Sequence, residues 1–305
     1  MPEPYRLSYP VDTVRWTDGF LRPLPPERYE PQIRTIRSVG VDALMLTGYV
    51  TVEPAAFDVD EETKRLGGFL DSLGMRAAQH HGLCATWAPP GESQDAVIEN
   101  IVRCARWTAN LRSGVLVIHP GNSIARLGSI AAYDKAFHEA MARIGRTEIM
   151  RLVARNVDAA AEEARSLGVA IALENVHFFN EDNTLLPDLF AEVRSSNVGY
   201  CIDFGHAHYA GGGVDYWLDR LGGRIVTTHI HDNRGRDDEH RPPGFGTIPW
   251  PDVIARLRAL GYEGYANFES GPWDGPDPAE GYRHAIAYWR VCERIAGLSF
   301  AGKPC

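Results

Sequence analysis

Residues 198–208 read VGYCIDFGHAH. Val198 to Ile202 form an uninterrupted run of apolar and small residues, the kind that suits a strand covered on both faces. Asp203 ends the run and His206 follows three residues later. A buried strand that stops at a carboxylate delivers that side chain to the place where the chain leaves the core.

The same form recurs along the chain. VAIALENV runs to Glu174, RIVTTH to His229, YANFES to Glu269, VLVIHPG to His119, and MRAAQHH to His80 and His81. Tyr5–Tyr9 and Ala43–Thr47 complete the strand candidates. Helical patterns lie between them: Pro26–Val39, Glu61–Leu73, Gln94–Asn110, Thr147–Leu167, Leu185–Ser195, Trp250–Leu260 and Pro278–Ile295. Pro26 sits near a first turn, and Gly40 and Gly168 follow helix ends, as capping preferences require.

Strand and helix thus alternate at intervals of roughly 30–55 residues, the pattern of an α/β chain folded as a single (β/α)8 TIM barrel over residues 1–305. The competing doubly wound sheet needs a G-x-G-x-x-G turn after its first strand, and the sequence has none there. No low-complexity tract or linker divides the chain. In a barrel the C-terminal strand ends meet at one mouth, so the polar residues ending these runs are the candidates for chemistry.

Composition narrows the partners. Hydrophobic residues make up 44% of 305, enough for a sizeable core, and the net charge of −9 opposes general attraction to nucleic acid or anionic membranes. A local basic patch from Arg234, Arg236 and Arg241 is compatible with that balance. The five cysteines (84, 104, 201, 292 and 305) are odd in number and lack CxxC spacing, which indicates free thiols in a reducing compartment. The N-terminal MPEPYRLSYP has no apolar signal region, and no stretch approaches a membrane span. The expectation is a cytoplasmic protein acting on a small molecule, without membrane or nucleic-acid partner; a homo-oligomer stays open.

A lone strand-end histidine is ordinarily a hydrogen-bonded part of the core, and a lone carboxylate ordinarily a helix cap or ion-pair partner. Their joint occurrence changes the reading. Two Glu, an Asp and a His at one mouth would repel and raise one another's pKa unless a cation lay among them. Mixed oxygen and nitrogen donors suit Mn²⁺ first, with Mg²⁺, Co²⁺ or Zn²⁺ as alternatives, and the lack of cysteine donors argues against structural zinc. His80 and His81 adjoin, so strand alternation turns only one inward, with His81 favoured. His138, His177, His208 and His284 read as structural. The stretch HIHDNRGRDDEHRPPGFGTIPW, residues 229–250, reads as a polar loop shaped by Gly and Pro over the mouth.

Together ALENV, IDFGHAH, HIHDN with DEHRPPGFGTI, and NFES resemble the xylose isomerase-like barrels, also called the AP endonuclease family 2 fold. The resemblance covers nearly the whole chain. That group includes ketose 3-epimerases, hydroxypyruvate isomerases, inosose dehydratases and endonuclease IV repair enzymes. The epimerase-like pattern implies Glu174, Asp203, His229 and Glu269 as ligands of one divalent metal, with Glu174 and Glu269 also the acid/base pair. It implies substrate binding by His206, by His81 and by arginines of the loop, Arg234 and Arg236. The endonuclease-like pattern implies a possible second metal at His119, Asp238 and His240. This chain departs from the repair enzymes in having Phe204-Gly205 where they carry a Cys, and in lacking their Gly-rich continuation after Glu174.

The leading expectation is a metal-dependent isomerase or epimerase of a ketose or keto-polyol, in which one glutamate removes and the other returns a proton through an enediolate. A keto-sugar dehydratase or lyase would use the same site. A multinuclear phosphodiesterase is the competing class, and a non-catalytic sugar-binding barrel a third. Trp16, Trp87, Phe178 and Trp273 are candidates for stacking on a sugar face.

Overall fold

The structure is a computed structural model that describes residues 3–17, 20–48, 58–82, 84–123, 130–176, 179, 182–210, 212–271 and 277–301. Strand β1 (Leu7–Asp12) is followed by β2 (Val14–Thr17) and β3 (Phe20–Pro23), then β4 (Ala43–Thr47), β5 (Arg76–His81), β6 (Val115–Ile118), β7 (Ala170–Glu174), β8 (Val198–Asp203), β9 (Ile225–His229) and β10 (Ala266–Asn267). All but β2 and β3 form one parallel sheet in the order β10-β1-β4-β5-β6-β7-β8-β9. The Ile230 amide donates to Asn267 O (2.8 Å) and the Glu269 amide to Ile230 O (2.9 Å), so β9 and β10 close the sheet into a barrel.

Strand alternation builds the interior. Leu116, Ile118, Ile171, Leu173, Tyr200 and Ile202 join the main core beneath the helices, while Val117, Ala172 and Cys201 form a small separate cluster. Each member of that small cluster lies two residues before a mouth residue: Val117 before His119, Ala172 before Glu174, Cys201 before Asp203. Gln79 precedes His81, Thr227 precedes His229 and Asn267 precedes Glu269 with the same spacing, so one period-two rule carries all six side chains to the mouth.

The outer ring holds α1 (Pro26–Ser38), α2 (Val59–Ser72), α3 (Gln94–Asn110), α4 (Ile130–Ile144), α5 (Arg146–Ser166), α6 (Leu185–Glu192), α7 (Phe204–Tyr209), α8 (Gly213–Leu221), α9 (Trp250–Ala259) and α10 (Pro278–Ala301). Asp58 and Ser93 cap α2 and α3 with their side chains. Where one helix was expected between β6 and β7 there are two, parted at Gly145, whose φ of 103° is one that side chains disfavour.

The antiparallel β2–β3 pair was not anticipated, and β1 runs on to Asp12 instead of ending at Tyr9. Trp87 is 2% exposed, edge-on to Phe137, with its indole N–H donating to Gly121 O; it belongs to the core, not to a sugar platform. Phe178 and Trp273 lie outside the described residues, as does the Trp16 side chain. No helix among the described residues is long and apolar enough to cross a membrane.

Candidate metal centre

Glu174, Asp203 and His229 end neighbouring strands β7, β8 and β9, which fixes them side by side. Glu269 lies just beyond β10, held by its own amide on Ile230 O. His229 Nδ1 is the focus: Glu269 Oε2 lies 3.0 Å from it, Glu174 Oε1 3.2 Å and Asp203 Oδ2 3.6 Å. One donor atom from each of the four falls within 4.8 Å of the others. Glu174, Asp203 and His229 are buried and Glu269 is 14% exposed, so Glu269 is the member that the mouth reaches.

Around this centre the expected residues divide into two flanking groups. His81 Nε2 and His119 Nε2 approach to 2.9 Å, and they lie 3.2 and 3.3 Å from Glu174 Oε2. On the other side His206, His231, Asp238 and His240 bring four donor atoms together. The His206 Nδ1–H donates to Asn175 O (2.8 Å) and the His240 Nδ1–H to Glu269 O (2.8 Å). Backbone carbonyls accept only, so both rings carry a proton on Nδ1, and both turn Nε2 to Asp238 Oδ2, at 3.3 and 3.1 Å. His240 adopts a φ of 45°, a left-handed backbone unusual for a histidine, and its ring stacks on His231 with centroids 3.9 Å apart.

His119 meets Glu174 and His81, whereas Asp238 and His240 gather with His206 and His231. His119 leaves β6 beside β5 and β7, and Asp238 and His240 ride on the loop after β9, across the mouth. His80 faces outward to Thr108 and Gly48 O, and His81 faces the mouth. Arg234 is exposed and pairs with Glu239 at 3.8 Å, and Arg236 is also exposed; neither guanidinium pairs with a mouth carboxylate. Of the histidines read as structural, His208 bonds Thr247, His138 lies on α4 and His284 on α10, while His177 falls outside the described residues.

Two residues escaped the sequence reading. His231, two residues past His229, directs its Nε2 to Asp203 at 3.0 Å. Asp232 organises the loop: its carboxylate accepts from the amides of Asn233, Gly244 and Ile248 and from the Trp250 indole N–H, at 2.9–3.2 Å. Its backbone also pairs with Arg241 in both directions. The DEH segment is thereby pinned over the mouth.

The electrostatics fit a cation. Burial pushes the Glu174 and Asp203 carboxyls up, yet the facing imidazoles hold both well below the usual carboxylate range. Burial opposes charge on His206 and His229, and the surrounding acidic groups raise both well above an ordinary histidine. Protons thus stand in for positive charge that the carboxylates require. Both Glu174 oxygens, His229 Nδ1 and Glu269 Oε2 are buried without a hydrogen bond of good geometry, an arrangement that a divalent cation would satisfy with oxygen and nitrogen donors.

Comparisons with known proteins agree with this architecture. The family model described as xylose isomerase-like TIM barrel matches residues 33–292. An uncharacterized protein of Methanocaldococcus jannaschii is 30% identical over 191 residues, covering 59% of this chain and 60% of that protein. The 3-dehydro-D-guloside 4-epimerase of Escherichia coli is 39% identical over 70 residues, 21% of this chain and 26% of that enzyme. This chain spans less than two thirds of the length of each of these curated relatives. The crystal structure of a D-tagatose 3-epimerase-like protein superposes with a TM-score of 0.67 at 22% identity, over 96% of this chain and 99% of that one. The chain belongs to the xylose isomerase-like TIM barrel family.

Proposed function

We propose that this chain is a divalent-metal-dependent isomerase or epimerase of a ketose or keto-polyol. One observation carries the reading: Glu174 and Glu269 approach the same imidazole nitrogen of His229, with Asp203 beside them, at the mouth of the barrel. The epimerase named among the relatives supports the substrate class.

A divalent cation held by Glu174, Asp203, His229 and Glu269 would supply Lewis-acid polarisation of a substrate carbonyl and its neighbouring hydroxyl. The chain's own groups do the rest. Glu269, open to the mouth, accepts the proton beside the carbonyl; Glu174, buried across His229, delivers a second proton, taken up from solvent, to the other face or to the neighbouring carbon, and Glu269 gives its proton up to solvent. Glu269, like Glu174, is held below its ordinary pKa, because His229 outweighs burial and the repulsion of Glu174, and so it is a carboxylate ready to act as base. His206 and His81 flank the pair and are the donors that face substrate oxygens. Incubating the Mn²⁺-loaded protein with a ketose panel in D₂O tests the reading: deuterium at the carbon next to the carbonyl supports it, and no exchange with any member refutes it. Loss of water from the substrate would assign a dehydratase on the same proton abstraction.

A second reading rests on the two flanking groups. His81, His119 and Glu174 on one side, and His206, Asp238 and His240 on the other, supply donors for further cations. Two or three cations in one mouth suit hydrolysis of a phosphodiester. Metal counting by mass spectrometry, with cleavage of abasic-site DNA, discriminates: one equivalent and no nicking leave the sugar reading alone.

A further inference from the structure

Beneath the mouth, the barrel interior is apolar on one side, where Val117, Ala172 and Cys201 meet, and polar on the other. There the Ser8 hydroxyl donates to Asn267 Oδ1 (2.6 Å), the Asn267 amide to Thr227 Oγ1 (2.9 Å), and the Thr227 hydroxyl to Gln79 Oε1. The chain ends at Gln79 Nε2, 2.6 Å from His229 Nε2. Ser8, Gln79, Thr227 and Asn267 are each at most 3% exposed. A TIM barrel ordinarily fills such a layer with Val, Ile and Leu, so four buried polar side chains leading to one imidazole need a purpose.

The geometry supplies one. Nδ1 of His229 faces Glu174 and Glu269, and for that atom to ligate a cation the ring proton must sit on Nε2. At 2.6 Å, Nε2–H needs an acceptor, and the Gln79 amide becomes one by exchanging its oxygen and nitrogen. Its NH₂ then donates to Thr227 Oγ1, whose own proton is free to turn to the adjacent Tyr262 hydroxyl.

We propose that Gln79 is the positioning residue of the metal centre: its amide oxygen accepts from His229 Nε2–H and holds the ring ready to bind a cation through Nδ1. The proposal rests on the reading of His229 as a ligand. It is tested on the full chain, stripped with chelator, as wild type, Gln79→Met and Gln79→Glu. Mn²⁺ titration is expected to show Gln79→Met weakened roughly 10–100-fold, the usual cost of losing a ligand's hydrogen-bond partner, and Gln79→Glu restored to near wild type because a carboxylate also accepts from Nε2–H. Imidazole ¹⁵N spectra of the wild type, with the His229 signals identified by His229→Asn, are expected to change on adding Zn²⁺ from a ring protonated on Nδ1 to one protonated on Nε2 alone. Equal Mn²⁺ affinity in Gln79→Met and wild type, or equal losses in both variants with no tautomer change, would overturn the proposal alone. A wild-type chain that takes up no Mn²⁺ would overturn the ligand reading and this proposal with it.

Discussion

The ring of His231 occupies the space where a side chain at position 205 would stand: a Cβ on Gly205 would lie 1.9 Å from His231 Cε1 and 2.2 Å from its Nδ1. Phe204-Gly205 and His231 are therefore one feature. The glycine between Asp203 and His206 exists to admit an imidazole that binds Asp203 and stacks on His240.

Gly205→Ala should expel His231. We expect a stability loss of about 1–3 kcal/mol in denaturant unfolding, the usual range for overpacking a close contact. If a second cation sits among His206, His231, Asp238 and His240, the variant should also bind one equivalent fewer. Unchanged stability would mean that the two residues are not coupled.

Glu174→Gln and Glu269→Gln keep the shape of the centre and remove its bases. Each is expected to lower the rate of substrate deuterium exchange by about 10²–10⁴-fold, the range a positioned acid or base contributes. Secondary structure by circular dichroism should be unchanged. Full turnover in Glu269→Gln would remove the two-glutamate mechanism.

Asp232 never faces substrate in this account, yet it ties the loop that carries Asp238 and His240. Asp232→Ala leaves the N–H donors of Asn233, Gly244, Ile248 and Trp250, all but Gly244 in buried residues, without their acceptor. With each such loss costing about 1–3 kcal/mol, a total above about 3 kcal/mol is expected in thermal or urea unfolding, and Asp232→Asn should fall between. A loss below about 1 kcal/mol would show that the loop is held by something else.

The pH dependence of the metal-free chain follows from the shifted groups. Burial opposes charge on His240, but its hydrogen bond to Asp238 prevails and raises it from 6.5 to about 9, and His206 and His229 shift the same way. A raised histidine contributes its stability in full below the unfolded value of 6.5 and loses it as pH rises through the folded value. The lowered Glu174, Asp203 and Asp238 contribute above their unfolded values and lose that contribution as pH falls below them. Urea unfolding of chelator-stripped protein should therefore show stability declining from pH 6.5 toward 9. Over the same interval Mn²⁺ affinity should rise, because the ligating nitrogens must shed their protons. Affinity that is flat or falls with pH would contradict the ligand set.

The strand ends were legible because each is a sharp boundary between an apolar run and a polar residue, and a barrel sends such boundaries to one place. Glu174, Asp203, His229 and Glu269 were found that way. His231 was hidden by its neighbours in a polar loop, although its spacing of two from His229 puts both imidazoles on one face. Gln79 lacks charge, so it did not stand out, although the same spacing from His81 placed it inside the barrel. The β2–β3 pair carried a signal too: Asp18-Gly19 lies between the two strands, and that dipeptide favours two-residue hairpins. The grouping of His119 apart from Asp238 and His240 depends on which strands are neighbours around the barrel, and local sequence does not encode it.

The most direct test is anomalous diffraction from crystals of the full chain grown with Mn²⁺. The account predicts a manganese peak ligated by Glu174, Asp203, His229 Nδ1 and Glu269. A map with these four side chains ordered and no peak between them, or with the ion bound by other residues, would contradict it.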